Sequence, residues 1–260
     1  MDYTSIRTSR TGAALVLELH RKEKRNAFSA AMMEEIIAAV AAADADAAVR
    51  GIVIHGGPEL FSAGADLNEA LALGSVPQSV GYFGRWHRLC DALEGSTRPV
   101  IAAIEGHCLT GGLELALACD LRFAGEGSTF GITSSRIGTV PGGGGAQRLA
   151  RLVGPSRALE MLFSAEFIDA AEAHRIGLVN RLVPQGGALA RALQQVEVYA
   201  ERAPLSLAWN KRAVHRGLQM DLRSALEYET FLVSGIFSTG DRTEGMSAFL
   251  QKRPAAFKGE

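Results

Sequence analysis

The order of apolar and polar positions predicts the elements of this chain with little help from composition. Residues 13–19 (Ala-Ala-Leu-Val-Leu-Glu-Leu) form an apolar strand, and residues 6–8 lie across Gly12 from it, which predicts a hairpin. Residues 32–40 change to helical spacing, with Ser29 as a candidate N-cap and an end near Ala43. Short, β-branched apolar runs follow at 50–55, 100–104, 120–125 and 178–183, each the length of a buried strand. Helices are predicted between them at 67–73, 82–93, 113–119, 147–152, 155–163 and 170–176, the last closed by Gly177. Residues 74–81, with Gly74, Ser75, Pro77 and Gly81, read as a loop or lid. From Gly187 onward the pattern is helical throughout, at 188–202, 205–218, 222–237 and 242–250. Repetition of strand, small-residue turn and helix predicts an α/β fold with the helices outside, a core over 1–186 and a helical region over 187–260. Such a tail covers little core alone, so it is expected to pack on the body and on other subunits.

Composition narrows the class. At 260 residues, 47% apolar and 21% charged, the chain has enough apolar material for a substantial core, which excludes a disordered protein. A net charge of -1 leaves no basic footprint for nucleic acid or an anionic membrane. Residues 1–7 contain no apolar signal core, and no run approaches a membrane span. Cys90, Cys108 and Cys119 form no Cys-x-x-Cys, so a reduced, cytoplasmic setting is expected. The six histidines show no metal-ligand spacing, and no metal is expected.

The candidate chemistry lies at small-residue turns. In Thr110-Gly111-Gly112-Leu113-Glu114, glycines stand where a strand gives way to an Ala/Leu-rich buried helix. A helix start presents unpaired N–H groups and the positive end of the dipole, and Glu114 falls in its first turn. The pattern alone also suits a tight packing turn with Glu114 merely complementing the dipole. A second such turn, Ala63-Gly64-Ala65-Asp66, likewise precedes a helix. Two N–H groups converging on one oxygen from such turns make an oxyanion hole suited to a thioester enolate. Gly142 to Gly145 are followed by neither Gly-Lys-Ser/Thr nor a third spaced glycine, which argues against a phosphate loop. No Gly-x-Ser-x-Gly elbow supports Ser/His/Asp catalysis, and His55 and His107, which flank turns, read as structural.

The chain resembles the crotonase, or enoyl-CoA hydratase/isomerase, superfamily over nearly its full length. The matching stretches are Arg-Lys-Glu-Lys-Arg-Asn-Ala-Phe at 21–28, Phe-Ser-Ala-Gly-Ala-Asp-Leu at 61–67, residues 106–120, and Gly-Thr-Val-Pro-Gly-Gly-Gly-Gly-Ala-Gln-Arg at 138–148. Lys252-Arg253-Pro254 and Phe257 look like the family's C-terminus. The resemblance implies a spiral of ββα units with a helical trimerisation tail, a trimer or dimer of trimers, and an acyl-CoA substrate whose coenzyme A enters with it, so no separate cofactor. It implies that Ala65 and Gly111 donate to the thioester oxygen, and that Ala63, Gly64, Ala65, Asp66 and Leu67 line the adenine and pantetheine path. Lys24 and Arg25, with Ala27, would lie near the CoA phosphates, although either cation alone also suits a solvated turn. Phe257 and Lys258 would reach a neighbouring subunit's CoA. Residues 68–90 and the tail near 228–237 would line the acyl end.

One position departs from the family. Its hydratases set two glutamates on opposite sides of one water; the first matches Glu114. The second belongs to a Phe-Gly-x-Pro-Glu stretch, which here reads Phe130-Gly131-Ile132-Thr133-Ser134. Ser134 holds the register, because residues 138–141 match without a gap. A serine can hydrogen-bond a water but is a poor acid or base near neutral pH. With Glu114 alone, enolate chemistry on a CoA thioester remains open as a slower hydration or a double-bond shift. Decarboxylation, thioester hydrolysis and a non-catalytic acyl-CoA-binding role are the alternatives on this scaffold. The family's isomerases usually keep the other carboxylate, so Glu114 alone matches neither pattern fully.

Overall fold

A computed structural model describes residues 3–260. The first hairpin pairs β1 (Ile6–Thr11) with β2 (Ala14–Leu19), Gly12 taking the left-handed turn position between them. Then follow α1 (Ala30–Ala45), β3 (Gly51–His55), β4 (Leu60–Ser62), α2 (Leu67–Leu71), α3 (Val76–Gly95), β5 (Val100–Ile104), β6 (His107–Leu109) and α4 (Gly111–Ala118). The body continues through β7 (Leu121–Gly125), β8 (Thr129–Gly131), α5 (Gly145–Val153), α6 (Pro155–Ser164), β9 (Ile168–Asp169), α7 (Ala170–Arg175) and β10 (Arg181–Val183). The C-terminal helices are α8 (Ala188–Ala200), α9 (Pro204–Gly217), α10 (Leu222–Ile236) and α11 (Gly240–Leu250).

The strands form two sheets, a six-stranded one in the order β1-β2-β3-β5-β7-β10 and a four-stranded one in the order β4-β6-β8-β9. In the first, every pair from β2 to β10 is parallel. Successive units place one strand in each sheet and then a helix: β3-β4-α2, β5-β6-α4 and β7-β8-α5. This is the expected ββα spiral. The sequence reading missed the second sheet because its members are two or three residues long. Strand alternation needs more residues than that to show. As a result, α4 follows β6 rather than β5 directly.

The large sheet is buried on both faces, which explains the unbroken apolar runs of β3 and β5. One face, with Leu17, Ile52, Ile54 and Ala102, packs under α1, α3 and α4. The other, with Val16, Val53, Ile101 and Phe123, packs under Ala188, Ala192 and Val196 of α8. The first of the C-terminal helices therefore covers the body's own core. Buried Arg122 fixes α4 from below, its guanidinium donating to the carbonyls of Ala116, Cys119 and Leu178 at 3.1, 2.8 and 2.7 Å. A cation there complements the C-terminal end of the dipole.

One predicted boundary is corrected. The stretch read as a loop over 74–81 is mostly helix, since α3 begins at Val76. Ser75 accepts from the Gln78 N–H as N-cap, and Pro77 lies in the first turn, where its missing N–H costs nothing. Ser75 and Pro77 start the helix, Gly74 precedes the cap and Gly81 lies within α3.

Candidate active site

The first turn is held by residues that lie far away in sequence. Asn26, buried and left-handed at φ 52, donates to the carbonyls of Gly56 at 2.9 Å and Phe61 at 3.1 Å. Asparagine tolerates that backbone region better than most residues. Its own carbonyl accepts from Ser62 Oγ at 2.8 Å, and Ser62 Oγ accepts from the Gly64 N–H at 3.1 Å. Phe28 pairs with the turn on the other side, donating to Gly64 O and accepting from the Asp66 N–H. These bonds leave the Ala65 N–H without a partner among the described residues.

The second turn meets the first face to face. A Cβ placed on Gly111 would fall 3.1 Å from Ala65 N and 2.6 Å from the edge of the Trp86 ring; one placed on Gly64 would fall 3.3 Å from Gly111 N. Only glycine permits this approach, and Gly64 also has φ +118. Gly111 is the first residue of α4, and its N–H too has no partner among the described residues. Two free N–H groups of the predicted pair therefore stand side by side. Just before them, Thr110 has φ 43 and ψ -108, a strained backbone for a β-branched residue. Its hydroxyl lies 2.9 Å from the Thr133 hydroxyl and accepts from the Thr133 N–H at 3.1 Å. A proline at 133 has no N–H to give.

Glu114 is 3% exposed. Its Oε1 accepts from the N–H groups of Gly143 at 2.7 Å and Gly145 at 2.8 Å, while Oε2 has no donor among the described residues. Burial pushes the carboxyl up to about 7, against the opposing pull of the two N–H groups and the Arg148 charge. The four glycines thus cradle a carboxylate from this chain. They open α5 at Gly145, with left-handed Gly144 before it. The sequence reading missed that Gly143 and Gly145 hold Glu114.

Ser134 opens the 3₁₀ turn Ser134–Ile137 and is buried, with no hydrogen-bond partner for its hydroxyl among the described residues. Lys24 and Arg25 are exposed, and the Arg25 carbonyl accepts from the Ala63 N–H at 3.0 Å. Arg21 reaches Asp66 at 3.0 Å, and Asp66 caps α2 through the Asn68 N–H. Burial works to raise the Asp66 carboxyl, but those bonds bring it below its ordinary range. The basic turn, with half-buried Ala27, is thereby tied to the 63–67 segment, where Leu67 is exposed. Of α3, Trp86 and Leu89 are core, while Leu71, Val76 and Val80 around its start are exposed. Phe257 and Lys258 lie back on α11, with the Lys258 N–H donating to Asp241 at 2.7 Å. His55 accepts from the Gly57 N–H, and the His107 ring bonds Thr129, so both rings have structural partners. A cavity of about 490 Å³ lies away from these turns, between the end of α3 and α9, lined by Arg98, Trp209, Lys211 and Lys258. Lys211 there is already bound to Leu93 O, Arg98 O and Asp120. Among the described residues no cluster of His, Cys, Asp or Glu could hold a metal ion.

Residues 9–260 match the enoyl-CoA hydratase/isomerase family. The chain belongs to that family. It is 38% identical over 251 residues to 2,3-dehydroadipyl-CoA hydratase of Escherichia coli, covering 96% of this chain and 97% of that one. It is 37% identical to the mitochondrial methylglutaconyl-CoA hydratase of Mus musculus, with 95% and 80% covered. The crystal structure of an enoyl-CoA hydratase from Bacillus anthracis superposes with a TM-score of 0.93 at 35% identity, with 99% and 100% covered. The fold is the crotonase-like one, and the chain is an acyl-CoA-processing enzyme of this family. Asn26, Ser62 and Trp86 escaped the sequence reading, although Asn26 and Ser62 fall inside matched stretches. Asn26 and Trp86 act on turns elsewhere in the chain, and Ser62, two residues before Gly64, shows its role only once its hydroxyl is seen to bridge Gly64 and Asn26.

Proposed function

We propose that the protein hydrates a 2-enoyl-CoA with a single carboxyl group, Glu114, acting as both base and acid. The observation that carries this is a buried Glu114 poised near 7, beside two adjacent, unpartnered N–H groups. A group near the working pH suits either direction of proton transfer. In this reading the thioester oxygen sits between the Ala65 and Gly111 N–H groups. Glu114 takes a proton from water as the water oxygen bonds to the β-carbon, and the electron pair of the double bond moves to the enolate held by the two N–H groups. Protonated Glu114 then returns that proton to the α-carbon, so that the elements of one water are added. The unpartnered Ser134 hydroxyl fits the water-orienting place of the family's second glutamate.

A double-bond shift is the second reading, favoured by the missing second carboxylate, since it needs only removal and return of a proton. Lys24 and Arg25 supply exposed positive charge for the CoA phosphates, and Ala63 to Leu67 carry the adenine and pantetheine path. A trimer or dimer of trimers fits the exposed apolar residues of α9 to α11, among them Val214, Phe231, Phe249 and Leu250. A reducing cytoplasm fits three buried free thiols. Incubation with a panel of enoyl-, 3-hydroxyacyl- and malonyl-type CoA thioesters, read by mass spectrometry, tests the reaction. Gain of 18 mass units by an enoyl-CoA supports hydration; isobaric conversion alone supports the shift, and no product from any thioester contradicts both.

A further inference from the structure

The carbonyl faces of the glycine loop are gripped as closely as its N–H faces. In a trans peptide the C=O and N–H point opposite ways, so fixing one fixes the other. The N–H that Gly143 gives to Glu114 belongs to the same peptide unit as the Gly142 carbonyl, and His87 Nε2 lies 3.1 Å from that carbonyl oxygen. A carbonyl only accepts, so Nε2 carries the hydrogen. The next carbonyl, Gly143 O, accepts from Arg148 Nη1 at 3.0 Å and from Cys90 Sγ at 3.4 Å. Arg148 is itself locked by a two-point bond to Glu94, at 2.6 and 3.1 Å. His87, Cys90 and Glu94 are spaced i, i+3, i+7, one face of α3, and Phe83 lies against Gly142 one turn earlier. One helix face is thus built against the outer side of the loop whose inner side holds Glu114.

The geometry points to His87 as a positioning residue for Glu114, acting through the Gly142–Gly143 peptide rather than touching the substrate. This rests on Glu114 carrying the proton, as proposed above. A four-glycine loop has little conformational restraint of its own, so N–H groups aimed at one carboxylate oxygen need an outside template. The His87 donor also polarises the Gly142–Gly143 peptide, strengthening the Gly143 N–H bond to Glu114 on its far side. The charged and titratable groups facing the cradle are Arg148 from α5 and His87, Cys90 and Glu94 from α3. Burial holds the Cys90 thiol at about 12, so it stays neutral.

The test follows the Glu114 carboxyl by infrared titration of the full chain, assigned by subtracting the Glu114→Gln spectrum, alongside kcat and KM for α-proton exchange on butyryl-CoA. His87→Leu removes the donor and His87→Gln keeps one. His87→Leu should move the Glu114 titration to higher pH by about half a unit or more. It should lower kcat roughly tenfold with KM within about twofold, and His87→Gln should recover part of both. His87 is exposed on α3, so the fold is expected to tolerate both variants, and His87→Phe is a second donor-less variant should His87→Leu not fold. An unmoved titration in a folded donor-less variant, or no recovery by the conservative one, overturns the assignment. If Glu114→Gln exchanges as fast as wild type, the proton-carrier reading falls, while the titration still decides the positioning.

Discussion

At the scale of single residues, burial of the Glu114 carboxyl costs stability as pH rises. Its carboxyl titrates at about 7 when folded and near 4.5 when unfolded, so the folded state binds the extra proton between these values. Stability contributed by this group is therefore present below 4.5 and lost as pH rises through 7, on the order of 3 kcal/mol in all. Glu114→Gln keeps an oxygen for the Gly143 and Gly145 N–H groups without the charge. It should melt higher than wild type at pH 8 and equal to it near pH 4; a lower melting temperature at pH 8 would count against the raised carboxyl. Ser134→Glu supplies the carboxylate that the family's register expects. It should raise crotonyl-CoA hydration by about tenfold or more, and no gain at all would count against the register. Glu114 and the Gly111 turn were legible because their own neighbours in sequence mark a helix start. The raised carboxyl was not, since it depends on burial that only the folded packing around α4 creates.

Elements decide where those groups stand. The starts of α2 and α4 are brought together by two short parallel strands, β4 and β6, that no periodicity could reveal. Thr110 shows what this placement costs. It sits in a backbone region that glycine takes freely, and its hydroxyl bonds to Thr133 offset the strain while tying the second turn to the segment that carries Ser134. Thr110→Val keeps the shape and loses those bonds, so it should destabilise the protein by about 1–3 kcal/mol in denaturant unfolding; Thr110→Gly should cost less. An unchanged stability of Thr110→Val would argue that the hydroxyl pair is immaterial, and equal losses in the two variants that the strain is. The same logic explains the misread stretch at 74–81, where Ser75 and Pro77 work as a cap and a first turn once α3 has a core to face through Trp86 and Leu89.

For the whole molecule, the sequence pattern carried the fold class, the outside helices and the helical C-terminus. The split into two sheets needed the structure, and α8, counted with the tail by its helical pattern, covers the second face of the body's sheet. The family match makes the chain an acyl-CoA-processing enzyme, and in the proposed function the two meeting turns hold the thioester oxygen while Ser134 orients the water. The measurement that bears most directly on this account is deuterium uptake at the α-carbon of butyryl-CoA in heavy water, wild type against Glu114→Gln. Wild type should exchange the α-proton, and Glu114→Gln should do so at least about a hundredfold more slowly. Exchange at the wild-type rate without the Glu114 carboxyl would contradict the central claim.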